Sequence, residues 1–148
     1  MKTIYFKVID QLKNLNYIPL LILRLILAYG FYDPAMKKLN DIGLIAEWFE
    51  SIELPWPHFN AYLASYTEFF GFIFLALGFA TRFISIPLII TMFVAIKTAH
   101  WGNGFSASDN GFEIPLYYMI MLIVLVFNGA GKLSLDHLIG KMIKKQTN

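Results

Sequence analysis

The sequence predicts an all-α integral membrane protein, built as an antiparallel four-helix bundle with amphipathic helices on the membrane surface. Three observations support this class. Hydrophobic residues make up 57% of the 148 residues and charged residues only 15%, whereas soluble domains contain about 45–50% and 25%. Long apolar runs follow one another along the chain, and none alternates like a strand of a membrane β-barrel. The mean hydropathy of +0.58 is too high for a free cytosolic enzyme of 17.0 kDa.

The apolar runs define the expected membrane spans, which we place at 17–32, 60–80, 83–99 and 112–130. A spanning helix needs roughly 20 mostly apolar residues. The first run is shorter than that, so we expect its helix to extend at one end or to lie where the bilayer is thin. No internal repeat is visible, and we interpret residues 1–148 as a single membrane domain.

Two amphipathic segments accompany the spans. Residues 1–15 have apolar side chains at helical spacing with lysines between them, and we expect them to form a helix on the inner membrane surface. The segment 40–52 has a similar apolar stripe, at Ile42, Ile45, Phe49 and Ile52. This spacing predicts a helix on the outer membrane surface.

The lysines and arginines set the expected orientation, because cytoplasmic connections of membrane proteins are enriched in these residues. Only Lys37 and Lys38 lie in the first and third connections. Eight cations lie in the arm, the second connection and the tail: Lys2, Lys7, Lys13, Arg82, Lys132, Lys141, Lys144 and Lys145. Both termini are therefore predicted to be cytoplasmic. A net charge of +2 does not indicate nucleic-acid binding, and the absence of cysteine excludes thiolate metal sites and thiol redox chemistry in this chain.

Charged residues inside the apolar runs are the first functional candidates, because a charge at the centre of a membrane helix costs about 2.5–3.5 kcal/mol on insertion scales. Arg24 lies near the middle of the first span and Glu68 at a comparable depth in the second. Gly71 and Gly78 share the face of Glu68, which directs Glu68 towards a neighbouring helix. Two interpretations remain open: an Arg24–Glu68 ion pair that fixes helix register, or a polar pocket that binds a quinone or relays protons.

A second polar group falls near the outer ends of the spans. Lys97 and His100 share a helix face at the end of the third span, Glu113 opens the fourth, and His58 opens the second from the same side. The functional interpretation is an outer gate or proton path. The structural alternatives are snorkelling for Lys97, a favourable helix N-terminal acid for Glu113 and an ordinary loop position for His58. Two histidines on different segments give no ligand pair, so we predict no metal site and disfavour haem.

Aromatic residues reach 17% of the chain. They crowd the predicted outer half, at Trp48, Trp56, Trp101, Tyr62, Tyr66, Tyr117 and Tyr118. One interpretation is an interfacial belt. The other is an aromatic-lined quinone pocket between Arg24, Glu68 and the outer loop, with Tyr66 as a binding residue.

Several segments resemble the DoxX family in their order and spacing over about residues 17–138. They are Leu23-Arg24-Leu25 with Lys38-Leu39, Ala61-Tyr62-Leu63 leading to Glu68 and Gly71, Thr81-Arg82, Met92 and Ala95 leading to His100, then Glu113 and Gly131–Asp136. Two positions depart from the family pattern. Ala28 replaces a usual glycine, and Pro34-Ala35 replace a frequent His-Gly, so no role of that histidine transfers to this chain. The segment 100–115 resembles members that accompany bufferin-type copper-handling peptide systems.

The resemblance implies a subunit of a redox system in the bacterial inner membrane, embedded in the lipid bilayer, with a quinone as the implied cofactor. Arg24, Glu68 and His100 are then the catalytic candidates, and Lys97, Glu113 and Tyr66 join them in binding. No intrinsic redox centre is evident, so electrons are expected from a protein partner or a bound small molecule. The alternative is a non-enzymatic scaffold or assembly factor for a redox, copper-handling or oxidative-stress partner. A small transporter is a third interpretation, although no inverted repeat is visible.

Overall fold

A computed structural model describes residues 15–146 of the chain. Over this range the regular structure is helical and contains no strand, which confirms the predicted all-α class. The α-helices are α1 (Tyr17–Asn40), α2 (Ile42–Ser51), α3 (Pro57–Leu77), α4 (Thr81–Ala95), α5 (Glu113–Asn128) and α6 (Leu135–Gln146). The surface helix predicted for the N-terminal arm falls on residues 1–14, outside the described part of the chain.

Helix α1 extends eight residues beyond the expected end of the first span, from residue 32 to Asn40. It passes through Pro34, which cannot donate an amide hydrogen bond to the preceding turn. On its exposed side, Lys37 and Asp33 form an ion pair of 2.7 Å, one helical turn apart. The last turn carries Lys37 and Lys38, which suit the partial negative charge of a helix C-terminus. This extension carries Lys38 to the neighbouring helix α3.

Helix α2 occupies most of the segment 40–52. The side chain of Asp41 accepts a hydrogen bond of 2.9 Å from the backbone N–H of Leu44, which caps the start of the helix. The buried residues Ala46 and Phe49 pack against Ala61 of α3. Helix α2 therefore lies across the N-terminal half of α3.

Helix α4 does not stop at Ala95. It continues through a π-helical turn, Ile96–His100, and a 3₁₀ turn, Trp101–Asn103. Single π-turns are rare and frequently occur at functional sites. This turn sets the position of His100 at the end of the helix.

The main packing contacts join α1 to α3 and α4 to α5, and α3 also contacts α2 and α4. The core between these helices consists of fully buried leucines and one phenylalanine: Leu27, Phe31, Leu75, Leu88, Leu122 and Leu125. Many large apolar side chains point outwards, including Ile22, Ile90, Phe93 and Phe127. Within residues 15–146, two helical segments, Tyr17–Asn40 and Thr81–Asn103, are long and apolar enough to cross a membrane, and Glu113–Asn128 is a shorter apolar helix.

Candidate functional site

Glu68 lies in the middle of α3 and is only 1% exposed. Its Oε1 atom accepts a hydrogen bond of 2.5 Å from Nζ of Lys38, at the end of α1. The ammonium group compensates a carboxylate that has been removed from water, and a buried charge without such a partner is strongly unfavourable. The pair also joins α1 to α3.

The second carboxylate oxygen of Glu68, Oε2, is buried and has no hydrogen-bond partner in the described part of the chain. A buried oxygen that lacks a donor is costly and uncommon in folded proteins. Glu68 lines a cavity of about 290 Å³. This oxygen is therefore an acceptor that the described residues leave without a donor.

The cavity, which we call the polar cavity, lies between α1, α3, α4, α5 and the loop before α5. It combines a carboxylate, an ammonium group, an imidazole and a phenol with apolar walls: Gly30, Phe31, Pro34, Lys38, Glu68, Met92, Ala95, His100, Ala107, Asn110, Gly111, Ile114, Pro115 and Tyr118. Such a mixture of apolar lining and few polar groups is typical of small-molecule sites.

Tyr118 enters the polar cavity because Gly30 lacks a side chain. A Cβ atom at Gly30 would overlap the hydroxyl and ring of Tyr118. The Tyr118 ring also packs against Phe31, with ring centroids 5.6 Å apart. The close approach of α1 and α5 at this point fixes the phenol at the edge of the cavity.

His100 is half-buried and held by the loop that follows it. Its Nδ1 atom lies 2.8 Å from the backbone carbonyl oxygen of Asn110. A carbonyl can only accept, so Nδ1 carries the proton in this bond and Nε2 carries the lone pair of the neutral ring. Asn110 has a left-handed backbone, with φ of 59°, which turns the loop back towards His100.

A second cavity, which we call the apolar groove, adjoins the polar cavity. Its volume is about 400 Å³, and its walls come mainly from α2, α3 and α4, with residues such as Trp48, Leu63, Ile90 and Val94. Lys38, Ala95 and His100 line both spaces. The polar cavity and the apolar groove therefore meet at the side chains of Lys38 and His100.

Arg24 does not pair with Glu68, so the ion pair considered from the sequence is not formed. Glu68 contacts Lys38 instead, and Arg24 has a different partner. Arg24 is buried, and its Nη2 atom donates a hydrogen bond of 2.6 Å to the carbonyl oxygen of Leu133. A Cβ atom at Gly78 would overlap the guanidinium group. Arg24 thus belongs to the end of the molecule where α6 begins, and it does not line the polar cavity.

Lys97, Glu113 and Tyr66 do not line the polar cavity either. The Nζ atom of Lys97 lies 4.9 Å from the ring centre of Trp101. Glu113 accepts a hydrogen bond of 3.0 Å from the backbone N–H of Ala107, which stabilises the loop before α5. Tyr66 is stacked in an exposed aromatic row on α3. The structure therefore does not bring these three residues together with Glu68 and His100.

His58 is exposed in the first turn of α3 and lines neither the polar cavity nor the apolar groove. Among residues 15–146, no group of three or more His, Asp or Glu side chains is arranged to hold a metal ion. The outer polar residues therefore do not converge around one point.

Sequence reasoning missed Lys38 as a cavity residue. The sequence places Lys38 in the first connection, because the apolar run ends at residue 32, whereas α1 ends at Asn40. The sequence feature that points to Lys38 is the short first apolar run. A run shorter than a membrane span predicts that its helix extends further at one end. Tyr118 is one of seven aromatic residues that the sequence offers either for an interfacial belt or for a pocket, and its contacts with Gly30 and Phe31 distinguish it from the others.

Comparison with known proteins supplies the family. The family model described as DoxX matches residues 19–101, which is more than half of the chain. The protein belongs to the DoxX family. Two relatives from Haemophilus influenzae, both described as uncharacterized proteins, are 36% identical to it. One alignment covers 84% of this chain and 85% of the relative, and the other covers 56% and 62%.

A Bacillus subtilis protein named "Putative oxidoreductase CatD" is 27% identical, over 82% of this DoxX chain and 87% of the relative. No solved structure matches significantly. The DoxX match contains Arg24, Lys38, Glu68 and His100, and ends before Tyr118. Together with the apolar helices, it identifies a membrane protein.

Proposed function

We propose that this DoxX protein binds a quinone as part of a membrane redox system, with the ring in the polar cavity and the apolar chain in the groove. The observation that carries this proposal is the unpartnered Oε2 atom of Glu68, a residue that lines one cavity together with Lys38, His100 and Tyr118. The continuity of the polar cavity with the apolar groove adds support, because it suits a molecule with one polar and one apolar end.

The residues present fit the hydrogen-bonding chemistry of such a ligand. Glu68 Oε2 can accept from a hydroxyl group, and Lys38 can donate to a carbonyl oxygen. His100 can form a hydrogen bond through its second ring nitrogen. A bound quinone would supply two-electron, two-proton redox chemistry. We expect a protein partner to supply the electrons, and the oxidoreductase name of the Bacillus subtilis relative is consistent with this role.

We also infer how the protein lies in the bilayer. Helices α1, α3, α4 and α5 form an antiparallel bundle across the bacterial inner membrane, with both termini in the cytoplasm. Support comes from the packing of α1 on α3 and of α4 on α5, and from the concentration of Lys and Arg in the second connection and the tail. This orientation places the polar cavity nearer the outer surface.

The test is quinone retention by the purified protein. The wild type, Glu68→Gln and His100→Ala are extracted in mild detergent, and bound quinone is quantified by chromatography per mole of folded protein. Glu47→Gln is the matched control, because Glu47 is an exposed acid outside both cavities. We expect Glu68→Gln and His100→Ala to retain at least about fivefold less quinone, since each removes a charged or polar contact. Equal retention in all four proteins would contradict the proposal.

A second function, a scaffold for a soluble partner, is supported by the loop before α5. Residues 101–110 are all exposed, including Trp101 and Phe105. Phe112 supports both rings, with centroid distances of 5.5 Å to Trp101 and 5.6 Å to Phe105. A structured loop that exposes aromatic side chains is typical of an interaction surface. Absence of quinone, together with a stable copurifying partner that Trp101→Ala releases, would favour this function.

A further inference from the structure

A third cavity lies at the opposite end of the molecule from the polar cavity. It has a volume of about 510 Å³ and lies between the start of α1, the turn between α3 and α4, and the connection from α5 to α6. We call it the basic groove. Arg82, Lys132 and His137 line it, and Asp136 is the acid among its lining residues. None of them belongs to the quinone site proposed above.

Within the described residues, Asp136 forms no ion pair with the cations of the basic groove. Its Oδ1 accepts a hydrogen bond of 2.7 Å from the backbone N–H of Ala80, and its Oδ2 accepts one of 3.1 Å from that of Thr81. Both oxygens are therefore used at the N-terminus of α4. The partial positive charge of that helix end is partly compensated by the same carboxylate.

Arg82 is exposed and takes part in no hydrogen bond or ion pair within the described residues. Its side chain runs along Gly129, where a Cβ atom would lie 3.1 Å from Nε. Gly129 has φ of 76° and leaves room for the guanidinium group. The head of Arg82 is thus held at the groove with its donors free, and an Arg with free donors is suited to a phosphate group.

Lys132 provides the second cation, and its Nζ atom lies 5.8 Å from the ring centre of Tyr17. The mouth of the basic groove is apolar, because Phe83 lines it and is 78% exposed. Cations beside an exposed aromatic ring match a molecule that carries both a phosphate group and acyl chains.

We propose that the basic groove binds the phosphate headgroup of an anionic phospholipid, with Arg82 and Lys132 on the phosphate and Phe83 beside the acyl chains. Free phosphate shares the headgroup chemistry but lacks the chains, so it serves as the comparison ligand. The site would anchor the connection from α5 to α6 to the bilayer.

The experiment is native mass spectrometry of delipidated protein titrated with phosphatidylglycerol, phosphatidylcholine or inorganic phosphate. The wild type should bind phosphatidylglycerol in preference to phosphatidylcholine. In the double variant R82Q/K132Q, the ratio of phosphatidylglycerol binding to phosphatidylcholine binding should fall by about fivefold for each cation removed. The double variant K141Q/K144Q removes the same charge from exposed positions of α6 outside the groove, and it should retain the preference.

The charge-conserving variant R82K/K132R guards against loss of folding, because it should keep most of the preference. Equal binding of the two lipids by the wild type would overturn the proposal. Equal losses in R82Q/K132Q and K141Q/K144Q would also overturn it, since they would show a general charge effect. Tight binding of inorganic phosphate that R82Q/K132Q abolishes, without lipid preference, would assign the groove to a soluble anion instead.

Discussion

The Nζ atom of Lys38 lies 2.5 Å from Oε1 of Glu68, although thirty positions separate the two residues in the chain. This contact joins the last turn of α1 to the middle of α3. It uses one oxygen of a buried carboxylate and leaves the other without a partner among the described residues. The residue pair that joins the two helices thus also lines the cavity for which we propose quinone binding.

Replacing Lys38 by methionine should destabilise the protein, because it leaves the buried carboxylate of Glu68 without its partner. We expect a loss of about 3 kcal/mol, measured by thermal unfolding in detergent. Lys37→Met is the matched control, because Lys37 pairs with Asp33 on the exposed side of the same helix, and surface pairs contribute about 0–1 kcal/mol. The double variant K38M/E68Q should recover part of the stability. Equal unfolding temperatures for Lys38→Met and Lys37→Met would refute this role.

Gly30→Ala should displace Tyr118, because the new Cβ atom would overlap the tyrosine ring and hydroxyl. Overpacking of this kind costs about 1–3 kcal/mol. Gly140→Ala is the control, since nothing lies within 4 Å of a Cβ atom there and alanine favours a helix. Unfolding temperatures of the two variants should therefore shift in opposite directions. An unchanged unfolding temperature for Gly30→Ala would show that Tyr118 does not occupy this space.

Asp136→Ala should loosen the start of α4, because the backbone N–H groups of Ala80 and Thr81 lose their acceptors. Loss of such a helix cap costs about 0.5–2 kcal/mol. Hydrogen–deuterium exchange should become faster in the peptide that contains these amides. Asp109→Ala, in the exposed loop before α5, should leave their exchange unchanged. If the amides of Ala80 and Thr81 exchange slowly in both Asp136→Ala and Asp109→Ala, the start of α4 is stabilised without the carboxylate of Asp136.

The all-helical class could be predicted from the sequence because apolar runs and composition are local properties. The approximate positions of α1, α3, α4 and α5 followed from the same runs. The partner of Glu68 could not be predicted, because depth along a span does not give the direction in which a side chain points. Arg24 and Glu68 have comparable depths in the apolar runs, yet Arg24 contacts Leu133 and Glu68 contacts Lys38. Contacts between distant segments decide this, and one sequence contains no record of them.

Blocking the apolar groove should discriminate between quinones by chain length. Val94 lines the groove but not the polar cavity, so Val94→Phe should reduce the space for an apolar chain while leaving Glu68, Lys38 and His100 in place. We expect binding of a long-chain quinone to weaken by about tenfold or more, since each buried CH₂ group contributes about 0.8 kcal/mol. A quinone without the chain should bind to both proteins alike.

The control for this experiment is Phe93→Trp, because Phe93 is exposed on the outer face of the same helix and lines neither space. Isothermal titration in nanodiscs with the long-chain and the chain-free quinone measures all three proteins. Equal weakening of both ligands by Val94→Phe would mean that the variant disturbs the polar cavity itself. An unchanged affinity for the long-chain quinone would exclude the groove as the path of the chain, while binding to the polar cavity could still be judged from Glu68→Gln.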